Sequence, residues 1–282
     1  MQSANSTAEA PEVASEPAAS GTPAGETPGN SEPRAASADG GAGLAASAGS
    51  RRHSVGEFYA VNRGGGLYSE AVSQRLGAVV ALVADRLGIA PTILTLVNVV
   101  LGVGTSVAVA VLAPSAVTGD LPAWALGLGA LVAWQVAYAI DCADGQLARV
   151  TGQASPAGAR VDVLADVLVQ ISLVTALASA STAFQPRTPA WLVAVFAGTW
   201  MVNLVTSVMQ SGGAAGSLMT RTSLPVRVLK LIRDYGAVVA LCGLVLTVVP
   251  GQIVWIMVAF SAVNGLFLIA SVMHSARNAL RH

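Results

Sequence analysis

Six blocks of mainly apolar residues, at 93–113, 122–140, 161–181, 190–209, 236–249 and 253–273, restrict this 282-residue chain to very few folds. A helix needs about 20 such residues to cross the hydrocarbon core of a bilayer. A helix also satisfies its own backbone hydrogen bonds, as a segment in lipid must. Charged residues make up 11% of the chain, against about 25% in an ordinary soluble domain. The expected fold is therefore an all-α integral membrane protein with six transmembrane helices. The fifth block is short and can extend back into the basic segment before it. No internal repeat is evident.

Residues 1–50 are almost entirely Ala, Ser, Gly, Pro, Thr, Asn and Glu, with Val13 and Leu44 the only branched aliphatics. Such a segment cannot bury enough apolar surface to offset its ordering entropy, so a disordered tail is expected. It lacks the hydrophobic region of a secretory signal peptide. Residues 51–90 form a juxtamembrane segment. Over 66–87, Tyr68, Val72, Leu76, Val79, Val80, Val83 and Leu87 recur at helical spacing among Glu70, Gln74, Arg75, Asp85 and Arg86. That pattern predicts an amphipathic helix lying in the membrane interface. The membrane domain then occupies 91–282.

Basic residues orient the spans. Six arginines precede the first block, Arg149 and Arg160 lie between blocks two and three, and Arg221, Arg227, Lys230 and Arg233 lie between four and five. With Arg277 and Arg281 these make fourteen of fifteen basic residues on one side of a six-span chain, leaving Arg187 opposite. By the positive-inside tendency both termini are cytoplasmic in a multi-pass protein of the cell membrane. A formal net charge of zero gives no support to a nucleic-acid partner. Cys142 and Cys242 lie in apolar segments and read as small buried thiols rather than a disulfide framework. His53, His274 and His282 are too few and scattered for a histidine metal site or a Ser–His–Asp triad.

Between blocks two and three runs DCADGQLARVTGQASPAGARVDVLAD, residues 141–166, with four aspartates where charge is expensive. Asp141 and Asp144 are three apart and share a helix face, while Asp162 and Asp166, four apart, share another. Gly152, Pro156 and Gly158 supply breakers for a short reversal, which predicts antiparallel neighbouring helices with converging carboxylates. Four carboxylates cannot all stay ionised and unpaired at a membrane interface. Two divalent cations with oxygen preference, Mg²⁺ or Mn²⁺, would neutralise them, and Mg²⁺ characteristically pairs a few carboxylates with substrate phosphates. A set without His or Cys disfavours zinc and copper. Intramembrane acids are functional by default. Gly145, directly after Asp144, leaves room beside the backbone; close helix packing is the competing explanation there, and the expected one for Gly102 and Gly104.

The stretch reads D-x2-D-G-x2-A-R-x8-G-x3-D-x3-D, filled by Asp141, Asp144, Gly145, Ala148, Arg149, Gly158, Asp162 and Asp166. In all eight positions it resembles the signature of the CDP-alcohol phosphatidyltransferase family, a resemblance that covers roughly residues 66–282. APTILTLVNVV at the start of the first block is similar to the family's P-N-x-x-T opening, with Thr92 in place of Asn. The resemblance implies a homodimeric membrane enzyme of phospholipid biosynthesis. It would move a substituted phosphate, in phosphatidyl form, from a CDP-linked donor such as CDP-diacylglycerol to a small alcohol, releasing CMP. Asp141, Asp144 and Asp162 would hold two divalent metals, with Asp166 at or beside them and acting as general base. Thr92, Thr95, Gly145, Ala148, Arg149, Ser155 and Gly158 would bind the donor, Gly145 making room for cytidine and Arg149 pairing with a phosphate.

The acceptor stays open. Arg227, Lys230 and Arg233 could hold a phosphorylated alcohol, or could simply follow the positive-inside tendency. Two other classes compete. A membrane prenyltransferase also uses aspartate-bound Mg²⁺ on a diphosphate, but its acid motifs lie far apart in sequence. An ion-coupled transporter characteristically shows repeats and broken helices at the bilayer midplane; here the acids concentrate at one edge. The basic asymmetry yields a direct test of orientation. A reporter fused after His282 should be active only in the cytoplasm, and activity only outside would overturn the six-span arrangement.

Overall fold

The computed structural model describes residues 53–62, 66–211 and 234–280. The expected tail and the basic segment with Arg221, Arg227, Lys230 and Arg233 lie outside these residues. Among the described residues there is no strand. The helices are α1 (Val55–Ala60), α2 (Gln74–Leu87), α3 (Pro91–Thr118), α4 (Ala123–Val150), α5 (Pro156–Phe184), α6 (Ala190–Ser211), α7 (Tyr235–Val248) and α8 (Ile253–Ala279). A π-helical turn, Ser69–Ser73, leads into α2, and a 3-10 turn, Pro250–Gln252, into α8. Four stretches are long and apolar enough to cross a membrane: Pro91–Thr118, Ala123–Val150, Pro156–Phe184 and Pro250–Met273. Ala190–Val205 and Tyr235–Val248 are shorter apolar helices.

Local chemistry sets the helix ends. Pro91 opens α3 at a position whose missing N–H costs nothing. Gly88 and Gly119 close α2 and α3 in the left-handed conformation, at φ 68° and 89°. At the start of α5 the Ser155 hydroxyl accepts from the Gly158 N–H at 3.0 Å, and Pro156 takes the first helical position. Gly152, with φ 70°, turns the chain between α4 and α5. Gly158, expected to break the chain, lies inside the first turn of α5, because the serine cap has already begun the helix.

Packing relies on small residues, since lipid offers no hydrophobic gain for bringing helices together. A Cβ added to Gly127 on α4 would lie 2.3 Å from the Thr247 nitrogen of α7, and one on Gly243 of α7 would lie 2.7 Å from Leu131. Gly77 brings α2 against Ala139, Cys142 and Ala143 of α4. Gly102 brings α3 against Val169 of α5, as expected of a packing glycine. Gly104 does not pack: nothing lies within 4 Å of its Cβ position, and it lines an open apolar groove with Ile93, Leu96, Val97 and Val100. It faces away from α5, two residues from Gly102 and so on a different side of the helix. Between α6 and α8 Trp200 stacks on Phe260 with ring centroids 4.5 Å apart, and its Nε1–H donates to Gln170 of α5 at 2.9 Å.

The segment expected to form a helix over 66–87 consists of the π-turn and α2. Its inward residues are small, Gly77, Ala78, Ala81 and Ala84, while Leu76, Val79, Val83 and Leu87 are exposed. Large apolar side chains outside and alanines inside suit an apolar surrounding. Phe58 of α1, fully buried, packs into the same cluster as Ala78, Ala81, Ala143 and Leu147. Asp234 ties this region to α7. Its carboxylate caps α7 and accepts from the Tyr68 N–H at 2.8 Å, the Ser69 N–H at 2.9 Å and the Ser69 hydroxyl. Burial and the Asp234 charge raise the Tyr68 phenol above its usual value, so it stays protonated and donates to Gln135 at 3.1 Å.

Gly127 and Gly129 separate backbone approach from mere smallness. Gly127→Leu should prevent α4 from seating on α7 and lower the thermal midpoint of the detergent-solubilised protein by many degrees. Gly129→Leu, with nothing within 4 Å of its Cβ position, should leave it unchanged.

Candidate active site

The aspartates stand where α4 ends and α5 begins. Helical spacing puts Asp141 and Asp144 on one face of α4, and Asp162 and Asp166 on one face of α5. One carboxylate oxygen each from Asp141, Asp144 and Asp162 lie within 4.8 Å of one another. Asp166 stands outside this triad, although its charge, with those of Asp144 and Asp162, acts on Asp141. Arg149, on the last turn of α4, is a counter-charge to Asp162.

The convergence does not come from α4 packing along α5, as the short reversal led us to expect. Both helices pack instead on α3. Direct packing of their acidic faces would force like charges into contact with no space for a compensating group. With α3 as the common support, the carboxylates meet across a gap. From α3, the Thr95 hydroxyl donates to Asp144 at 2.5 Å and the Asn98 amide donates to Asp141 at 2.8 Å. Asp144 is only 4% exposed and Asn98 2%, so these bonds satisfy polar groups that have little access to water.

Beside the triad opens a cavity of 230 Å³. Every residue expected to bind the donor lines it: Thr92, Thr95, Gly145, Ala148, Arg149, Ser155 and Gly158. Asp144 and Asp162 form its acidic wall, while Asp141 and Asp166 are not among its lining residues. Gln153 and Ala154 of the turn also line it. At Gly145 the three atoms nearest an added Cβ all belong to the Arg149 guanidinium, the closest at 2.9 Å. The glycine therefore leaves space for the cavity and for the arginine of the next turn, and helix–helix packing does not account for it.

Asn98 and Gln153 carry no weight in the sequence pattern. Asn98 had a signal available: it is a lone amide in an apolar run, one turn beyond Thr95. Arg227, Lys230 and Arg233, considered for the acceptor, lie outside the described residues.

The family model for CDP-alcohol phosphatidyltransferase matches residues 88–263, from the entrance of α3 into α8, and so takes in all four acids and the cavity. The chain belongs to the CDP-alcohol phosphatidyltransferase family. No curated protein and no solved structure matches it. Family membership gives the coarse chemistry: a phosphotransferase of the membrane that moves a phosphate-linked group from a CDP-alcohol. The donor set fits the divalent metal use of the family, because three carboxylate oxygens gathered within 4.8 Å suit a hard cation.

Proposed function

We propose that this chain transfers a phosphatidyl group from CDP-diacylglycerol, or a similar CDP-linked lipid, to a small alcohol and releases CMP in phospholipid biosynthesis. One observation carries the reading: two members of an acidic triad, Asp144 and Asp162, line a cavity that is also lined by Arg149, Ser155, Thr92 and Thr95. That combination suits a nucleoside diphosphate, whose charge needs cations at one end and whose base needs an uncharged recess at the other.

Asp141, Asp144 and Asp162 would hold two divalent ions, Mg²⁺ or Mn²⁺, which when bound supply positive charge to the diphosphate oxygens. Arg149 pairs with a donor phosphate, and Gly145 with Ala148 leaves room for the cytidine. Asp166, one turn beyond Asp162 and outside the triad, takes the proton from the acceptor hydroxyl. The acceptor oxygen then bonds to the lipid-side phosphorus. The bond from that phosphorus to the bridging oxygen breaks, and CMP leaves carrying that oxygen.

The same reading assigns the membrane arrangement. Helices α3 to α8 are the six spans, and α2 lies in the interface with its exposed apolar side chains in lipid. The division into a tail (1–50), a juxtamembrane segment (51–90) and a membrane domain (91–282) follows. Both termini and the acids lie on the cytoplasmic side, where a CDP-linked donor is available.

Membranes carrying the protein, given radiolabelled CDP-diacylglycerol and a panel of alcohols, test the reaction and identify the acceptor together. Release of CMP only with one class of alcohol is the expected result; no release with any would reject the transferase. Activity should vanish in excess EDTA and return with Mg²⁺ or Mn²⁺, and full activity in chelator would sink the metal mechanism.

The aspartates should separate by role. Asp144→Asn should weaken metal and donor binding together, because an amide ligates Mg²⁺ poorly. Asp166→Asn should keep appreciable donor binding while turnover falls by roughly 10²–10⁴, the usual worth of a general base. Binding of the CDP-donor by calorimetry beside CMP release on both variants decides the matter. Near wild-type turnover in Asp166→Asn rejects the base, and equal loss of binding in both variants makes Asp166 a metal ligand instead.

A further inference from the structure

We propose that Asn98, together with Thr95, is a positioning residue of the metal centre, setting the carboxylate planes of Asp141 and Asp144 before any ion arrives. The inference rests on the reading in which those aspartates hold divalent metal.

The geometry is a two-rung ladder between antiparallel helices. Thr95 and Asn98 are three apart on α3, and Asp141 and Asp144 are three apart on α4. Thr95 donates to Asp144 at 2.5 Å and Asn98 to Asp141 at 2.8 Å, so each donor engages one carboxylate oxygen. A carboxylate's terminal torsion is broad and nearly two-fold, so without a donor its plane swings freely. An ionised carboxylate only accepts, which requires Asn98 to present its N–H₂ rather than its carbonyl oxygen.

The chemical identity of the donors matters as much as their place. A lysine or arginine at position 98 would also bond Asp141, but its positive charge would compete with a cation for the same carboxylates. Neutral donors orient the acids and leave their charge for the metal. An asparagine buried in a membrane-spanning helix is expensive unless it is paired. Here the hydrogen bond to Asp141 is the compensation that the structure provides. Outer partners of this kind typically change metal affinity by roughly 10–100-fold when removed.

The test is Mn²⁺ binding to the full chain in detergent, without nucleotide, followed by electron paramagnetic resonance. Wild type and Asp144→Asn calibrate the metal site. Asn98→Leu, close in volume but with no donor, should bind Mn²⁺ roughly 10–100-fold more weakly. Thr95→Val should do the same, and Thr95→Ser, which restores a hydroxyl, should return to within about threefold of wild type on the scale of one lost orienting bond. In the CMP-release assay the Mg²⁺ concentration for half activity should rise in Asn98→Leu, and saturating Mg²⁺ should recover most of the turnover. A loss of packing alone would not be rescued by the ion.

If Asn98→Leu and Thr95→Val bind Mn²⁺ like wild type while Asp144→Asn does not, the positioning role is wrong and the metal site stands. If wild type binds no Mn²⁺, the metal reading fails and this proposal fails with it. Should Asn98→Leu not fold, the Thr95→Val and Thr95→Ser pair still decides whether the ladder positions the acids.

Discussion

Like charges sharing one small volume are the constraint around which the rest of this membrane domain is arranged. Asp141, Asp144 and Asp162 bring carboxylate oxygens within 4.8 Å of one another, and Asp166 adds its charge from one turn away. Such a group repels itself and also loses solvation as it enters the protein. The chain answers in three ways. It supports α4 and α5 on α3 rather than on each other, it places Arg149 beside Asp162, and it gives the two α4 acids neutral donors from Thr95 and Asn98. What remains uncompensated is an attraction for cations and for the phosphates they carry.

Holding such a site open demands stiffness elsewhere, and lipid does not supply it. Close approach of backbones does. Gly127 and Gly243 let α4 and α7 meet, Gly77 lets α2 meet α4, and Gly102 admits Val169. Asp234 then fixes the start of α7 to the segment before α2 through bonds to Tyr68 and Ser69. Helix α4 is therefore held by α3, α2 and α7 together, so the turn bearing Asp141 and Asp144 has little freedom to yield to repulsion.

Family membership and site chemistry reinforce each other without duplicating each other. The match over 88–263 says which reaction class the chain belongs to. The cavity says how that class could be served here, with an acidic wall, an arginine and a recess beside Gly145. Thr92, which stands where the similar family opening has Asn, keeps a polar side chain in the cavity lining.

The sequence alone determined the class of fold and which acids share a helix face, because both depend on local information. Apolar blocks of bilayer length announce helices wherever they occur, and spacings of three and four residues place acids on one face whatever the helix packs against. The seven residues that the family resemblance assigned to the donor, four within the motif and Thr92, Thr95 and Ser155 by position, all line the cavity, although only packing brings α3, α4 and the start of α5 together there. Tertiary structure decided what depends on which faces meet. It separated α4 from α5, made Gly102 a packing residue and Gly104 an open one, and turned Gly158 from a breaker into the first turn of α5. It also gave Asn98 a partner 43 residues away, which no periodicity within α3 could reveal. A side chain's face follows from its own helix, whereas its neighbour is chosen by the packing of every helix together.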